Sequence, residues 1–203
     1  MYFLYGDTEV EYLKIKDKKL GAVIDKIGHI NREVNPDLFS SIVHSIIGQQ
    51  ISTKAHKTIW KRMQDELGEI NVDTILNVGP DKIQKFGTTF RKADYIMDLA
   101  QKVKSGEFDL ESIREKTDEE AIAQLTSLRG VGVWTAEMIL IFCLQRKNIL
   151  SYGDLAILRG MRMVYGHEEI DKELFERYRK RLSPYCSVAS LYFWAVAGGG
   201  DFF

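Results

Sequence analysis

Apolar residues recur at three- and four-residue steps along most of the chain, the spacing that gathers them on one face of an α-helix. Leu20, Val23, Ile24 and Ile27 follow a cap at Asp17 and stop at Gly28, while Phe39, Ile42, Val43, Ile46 and Ile47 follow Pro36-Asp37 and stop at Gly48. Ser52 opens a run of Ala55, Ile59, Met63 and Leu67 that closes at Gly68, and Phe90, Ala93, Ile96, Met97 and Ala100 line another that ends near Gly106. Thr117 and Glu120 form a Thr-x-x-Glu capping box ahead of Ile122 and Leu125. Ala136, Ile139, Leu140 and Cys143 share a further helix, Asp154 and Asp171 cap two more, and a last one runs from about Ser187 to Ala197 before Gly198-Gly199-Gly200. The pattern predicts an all-α fold of about ten short helices with little or no β structure. Any strand-like piece is confined to Met1 to Tyr5. No stretch reads as a linker, so 203 residues make one compact helical unit or a chain folded back into two lobes.

Composition removes several classes of function. With 45% apolar residues, 28% charged residues and a net charge of −1, the chain buries a real core and is not expected to be disordered. The longest apolar runs, Met138 to Leu144 and Leu191 to Ala197, fall short of the ~20 residues that span a bilayer. The N-terminus has no basic segment before Asp7, which argues for a cytosolic address. Cys143 and Cys186 are too few for a four-thiolate or structural zinc site and are read as free thiols. Because the charge is near neutral, any nucleic-acid binding must come from local features.

Two segments supply such features. Leu128-Arg129-Gly130-Val131-Gly132-Val133-Trp134-Thr135-Ala136 joins two helices through a Gly-Val-Gly turn. Glycine at both positions permits positive φ and clears side chains, so a phosphate can approach the amides that open the second helix. Such a hairpin grips one DNA backbone without reading sequence; a tight corner with glycines kept for packing is the competing explanation. Further on, Ser151-Tyr152-Gly153-Asp154-Leu155 places a carboxylate at a helix start. Asp154 is an N-cap on this reading, and the helix N-terminus also favours its ionised form, which suits it to face a developing cation or a water nucleophile.

With these residues in view, the chain resembles the helix-hairpin-helix DNA glycosylase superfamily, and within it the alkylpurine branch of the 3-methyladenine DNA glycosylase II type. Ser40 to Ser52, containing Gly48-Gln49-Gln50-Ile51-Ser52, looks like the family's Gly-Gln-Gln-hydrophobic-Ser segment, and Arg91-Lys92-Ala93-Asp94-Tyr95-Ile96 resembles its Arg-Lys-Ala-x-Tyr-Ile helix. The hairpin and Gly153-Asp154 follow in the family's order, and Pro184 to Trp194 is similar to its C-terminal pocket helix. Each motif is moderately specific; their shared order over residues 36 to 195 is strongly so.

The resemblance implies a monofunctional glycosylase that flips an alkylated purine such as 3-methyladenine or 7-methylguanine out of damaged double-stranded DNA and hydrolyses its glycosidic bond. An abasic site would remain, as in base excision repair. It implies two helical lobes, residues 36–147 with the hairpin and residues 1–35 plus 148–203, with Asp154 in the cleft and the chain a monomer bound to the bacterial nucleoid. Asp154 would be the catalytic carboxylate. Trp134, Trp194 and Met138 would line the base pocket, Gln50 supported by Gln49 would fill the gap left by the flipped base, and Gly130, Val131, Gly132 and Thr135 would hold the DNA backbone. The family pattern also implies a sodium or potassium ion at the carbonyls of Leu128 and Val131, and no iron–sulfur cluster, since Cys186 stands alone near the C-terminus. Where bifunctional relatives carry a Schiff-base lysine before Thr135-Ala136, this chain has Trp134, which implies no lyase activity. Arg129 and Cys186 depart from the pattern, replacing a frequent proline and a frequent arginine. Arg91, Lys92, Lys54 and Lys57 are weaker candidates for phosphate contacts. The rival readings are a glycosylase for oxidised guanine or mismatched adenine, and a non-catalytic binder of damaged DNA.

Overall fold

The structure, a computed structural model, describes residues 1–198; Gly199 and Gly200 of the expected terminal glycine run lie outside the described residues. Twelve helices are present among the described residues: α1 (Asp7–Lys16), α2 (Lys18–Ile27), α3 (Leu38–Gly48), α4 (Thr53–Leu67), α5 (Val72–Lys85), α6 (Phe90–Ser105), α7 (Ser112–Glu115), α8 (Asp118–Thr126), α9 (Val133–Phe142), α10 (Leu155–Tyr165), α11 (Lys172–Leu182) and α12 (Cys186–Ala197). None is long and apolar enough to cross a membrane.

The caps expected from sequence carry their hydrogen bonds. Asp17, Asp37, Ser52, Asp154 and Asp171 each accept a first-turn amide, and Thr117 with Glu120 closes a reciprocal capping box. Three helices escaped the periodicity. In α1 only Glu9 and Leu13 are buried, too few for a stripe, and α7 is a four-residue turn. In α5 the dipeptide Gly79-Pro80 reads as a stop, yet the chain kinks at Gly79 (φ 71, ψ 171) and resumes helix with Pro80 in its first turn. The N-terminal extended piece is one antiparallel bridge, Tyr2 to Glu33, flanked by Phe3 N–H to the Arg32 carbonyl and Val34 N–H to the Met1 carbonyl.

The chain divides into two compact units, residues 1–34 with the chain from 140 onward, and residues 35–139. In the first, α10 lies against α12, and α2 packs on both; Leu13, Leu20, Phe175, Tyr192 and Phe193 are fully buried. Gly160 of α10 makes this crossing close, because a Cβ there would lie 2.1 Å from the Phe193 carbonyl oxygen of α12. In the second, α5 lies along α6, and α3 packs on α4 and α6 around Ile42, Ile46, Ile47, Met63, Ile83 and Ile96.

Two half-buried histidines flank that second core. His44 of α3 and His56 of α4 have ring centroids 4.0 Å apart, and Trp60 stands edge-on to His44 at 4.7 Å. Burial, aided by the neighbouring imidazole, lowers the His44 pKa to about 4. A histidine neutral in the fold but protonated when unfolded withdraws stability as pH falls through the interval from its free value to its folded one. Stability is therefore expected to drop by up to ~3 kcal/mol more between pH 6.5 and 4 in the wild type than in His44→Gln, as read by urea unfolding at each pH. Equal losses in the two proteins would contradict the assignment.

Candidate active site

Asp154 caps α10 at the end of the Ser151–Gly153 turn. Its Oδ1 accepts the amides of Ala156 at 2.9 Å and Ile157 at 3.0 Å, and its Oδ2 accepts the Trp194 indole N–H at 3.2 Å. The residue is only 7% exposed, but its neighbours Tyr152 (41%) and Leu155 (82%) face solvent. Three N–H donors on two oxygens fix the carboxylate in one orientation. Trp194 is half-buried on α12, with its ring 5.4 Å from that of Phe142, over which the Arg32 guanidinium sits at 4.8 Å. The polar edge of Trp194 is thus spent on Asp154. Sequence gave no sign of this bond, since residues 40 apart have no periodic relation.

The hairpin belongs to the other unit. Gly130 has φ 82, and a Cβ on it would lie 2.2 Å from Cδ2 of Tyr95. Gly132 corrects the expectation of positive φ at both glycines: it is absent from the left-handed region and a Cβ there would meet nothing within 4 Å. Only Gly130 is required by backbone and packing together. The Val131 amide donates to the Leu128 carbonyl at 3.2 Å and its side chain is buried, so Val131 closes the turn from within. The Ala136 amide reaches back to the Gly132 carbonyl at 2.9 Å, which makes Gly132 the N-cap of α9. The amides of Val133 and Thr135 fall in the turn that has no intrahelical acceptor. The Thr135 side chain is buried, Val133 and Trp134 are exposed, and Met138 lies at the edge of the core at 9%.

Gln49 and Gln50 separate sharply. Gln49 donates from Nε2 to the Gly130 carbonyl at 2.7 Å and approaches Thr135 Oγ1 at 3.5 Å, so it ties the end of α3 to the hairpin. Gln50 is exposed and has φ 55, uncommon for a residue with a side chain. Lys92, a weak candidate for phosphate, is instead engaged with the carbonyls of Ile47 and Gln49. Arg91 donates to the Tyr95 hydroxyl at 2.6 Å, and the Arg129 guanidinium lies 5.3 Å from the Tyr95 ring centroid. Cys186 is fully buried, and burial raises its thiol pKa to about 12. Among the described residues no three His, Cys, Asp or Glu side chains converge as a metal cluster. The Leu128 and Val131 carbonyls are neutral oxygen donors of the kind a sodium or potassium ion accepts. The Leu128 oxygen keeps a second lone pair beside its bond to Val131 N–H.

Gly132→Ala is expected to lose no more than ~1 kcal/mol, the cost of a poorer N-cap with room for the methyl, while Gly130→Ala is expected to lose ~2–3 kcal/mol through left-handed strain and the Tyr95 clash. Urea unfolding of the two variants checks this; equal losses would contradict it.

The family model for the HhH-GPD superfamily of base excision DNA repair proteins matches residues 43–184. The chain belongs to this superfamily. A solved DNA-3-methyladenine glycosidase from Bacillus halodurans is 33% identical, covers 98% of this chain and 93% of its own, and superposes with a TM-score of 0.85. DNA-3-methyladenine glycosylase 1 of Schizosaccharomyces pombe is 25% identical over 169 residues, covering 81% of this chain and 74% of its own length. A Bacillus subtilis protein named provisionally as a DNA-3-methyladenine glycosylase is 24% identical over 187 residues, and this chain spans 64% of its length. The fold is also that of the S. pombe 3-methyladenine DNA glycosylase solved with abasic DNA, at a TM-score of 0.81 and 23% identity. HhH-GPD membership accounts for the helical architecture.

Proposed function

We propose that this protein is a monofunctional alkylpurine DNA glycosylase acting on damaged duplex DNA in the cytoplasm. The observation that carries the reading is the Asp154 carboxylate, held by two α10 amides and the Trp194 indole beside an exposed turn, in a chain similar to proteins named DNA-3-methyladenine glycosylase and glycosidase.

Alkylation gives the purine a positive charge, so the C1′–N bond breaks with its electron pair going to the base, which leaves neutral. A cationic sugar remains. The ionised Asp154 stabilises that cation, and water adds its oxygen to C1′ and gives up a proton, forming the abasic sugar. Trp134 and Met138 are assigned to the walls of the base pocket. For a cationic purine, an exposed indole face contributes about 0.5–2 kcal/mol by cation–π attraction. Trp194 holds the Asp154 carboxylate through its indole N–H. Gln50 fills the vacated stack, Gln49 anchors the hairpin to it, and the α9 amides following Gly130, Val131 and Gly132, with that of Thr135, take a phosphate. The Leu128 and Val131 carbonyls would hold a sodium or potassium ion, which when bound supplies positive charge toward that phosphate. With Trp134 at the position of the lyase lysine, strand cleavage is not part of the reaction.

The test is a panel of duplexes carrying one lesion each: 3-methyladenine, 7-methylguanine, 8-oxoguanine, and adenine opposite 8-oxoguanine. Free methylated base, with strand breaks seen only after alkali, is the expected product. Release of 8-oxoguanine or adenine alone, or a borohydride-trapped adduct, would refute it.

A further inference from the structure

A left-handed conformation at a residue with a side chain is strained, and it persists only where its surroundings over-determine it. Gln50 is such a residue, at φ 55, immediately after α3 ends. A helix end leaves its last carbonyls without partners and carries partial negative charge. Here a cation from another helix meets both needs. Lys92 of α6 directs its ammonium to the Ile47 carbonyl at 2.9 Å and the Gln49 carbonyl at 2.6 Å, and burial pushes its pKa below the ordinary lysine value.

His56 also packs against this turn. A Cβ at Gly48 would lie 2.6 Å from His56 Cε1, so the imidazole sits directly on the Gly48 backbone. His56 Nε2 is buried without a hydrogen-bond partner. Gln49 completes the enclosure through its bond to the Gly130 carbonyl. Residues 47–49 are therefore held by the Lys92 ammonium, the His56 ring and the Gln49 bond to Gly130, whereas Gln50 is exposed.

We propose that Lys92, backed by the His56 ring, is a positioning residue that presets the backbone of Gln50 for insertion into the gap left by a flipped base. This rests on the wedge role assigned to Gln50 above. The consequence is specific to duplex opening. Where the lesion is already unstacked, the cost of flipping is small and a preset wedge confers little.

The experiment compares single-turnover base release from a fully paired alkylated duplex and from the same lesion inside a three-base mismatched bubble. Lys92→Met is expected to slow release from the paired duplex at least ~10-fold while leaving the bubble rate within ~2-fold, and 2-aminopurine fluorescence beside the lesion should show the loss at the flipping step. Lys92→Arg, which keeps two donors for the two carbonyls, should recover most of the rate. Lys92→Gln, with one donor group, serves if the Met variant does not fold and should fall between. Equal slowing on both substrates would mean a general structural role and overturn the proposal, as would no slowing on the paired duplex. Gln50→Ala is run beside these variants. If it alone shows the duplex-specific loss, the Lys92 proposal fails by itself; if it shows none, the wedge reading fails and takes the proposal with it.

Discussion

Asp154→Asn is expected to lower the single-turnover rate of alkylpurine release by ~10²–10³-fold or more, the scale seen when a group aimed at transition-state charge is removed. Affinity for an abasic duplex should stay within about tenfold. The substitution is informative because Asn is as good an N-cap as Asp. Its carbonyl can still accept from Ala156 and Ile157, leaving the amide nitrogen to face the Trp194 indole N–H. Two donors then oppose each other, and a loss of ~1 kcal/mol in stability accompanies the change. That small loss is separable from the large catalytic one by urea unfolding beside the rate measurement. An unchanged rate in folded Asp154→Asn would remove Asp154 from the chemistry.

Gly160→Ala should be among the most destabilising single changes in the protein. In an isolated helix it would stabilise by about 1 kcal/mol, because Ala has the higher helix propensity. Here the added Cβ would lie 2.1, 2.7 and 2.8 Å from the carbonyl oxygen, carbonyl carbon and Cα of Phe193. Those are backbone atoms of α12, which no side-chain rotation can move aside. The two helices must separate, and the expected cost is ~3 kcal/mol or more, or about 10 °C in Tm for a chain of this size. Function should suffer in the folded remainder, since Trp194 follows Phe193 on α12 and its indole would be drawn from Asp154. Thermal unfolding decides the sign: a Tm equal to or above wild type would show that α10 and α12 do not cross this closely.

Much of this was readable in the chain because helices announce themselves locally. Asp17, Asp37, Ser52, Thr117, Asp154 and Asp171 each marked a helix start by the side-chain chemistry of capping, which depends on residues two or three apart. α5 was lost because Gly79-Pro80 is a stop signal that can equally be a kink within one helical run. The site was legible as residue types in order but not as contacts. Asp154 was visible as a cap, whereas its bond to Trp194 joins two helices with a third between them. Gly130 and Gly132 looked alike until Tyr95, thirty-five positions upstream of Gly130, was found against only one of them. Lys92 read as one more surface lysine, and only packing could reveal that its charge is spent on the end of α3.

The reaction proposed here turns on the Asp154 carboxylate stabilising a cationic sugar. It is tested most directly by equilibrium binding of two duplexes that differ at one position, a pyrrolidine nucleotide analogue that is protonated and positively charged, and its neutral tetrahydrofuran counterpart. The wild type is predicted to bind the charged duplex at least ~10-fold more tightly, and Asp154→Asn to bind the two alike. Equal wild-type affinities, or a preference that survives Asp154→Asn, would contradict the account.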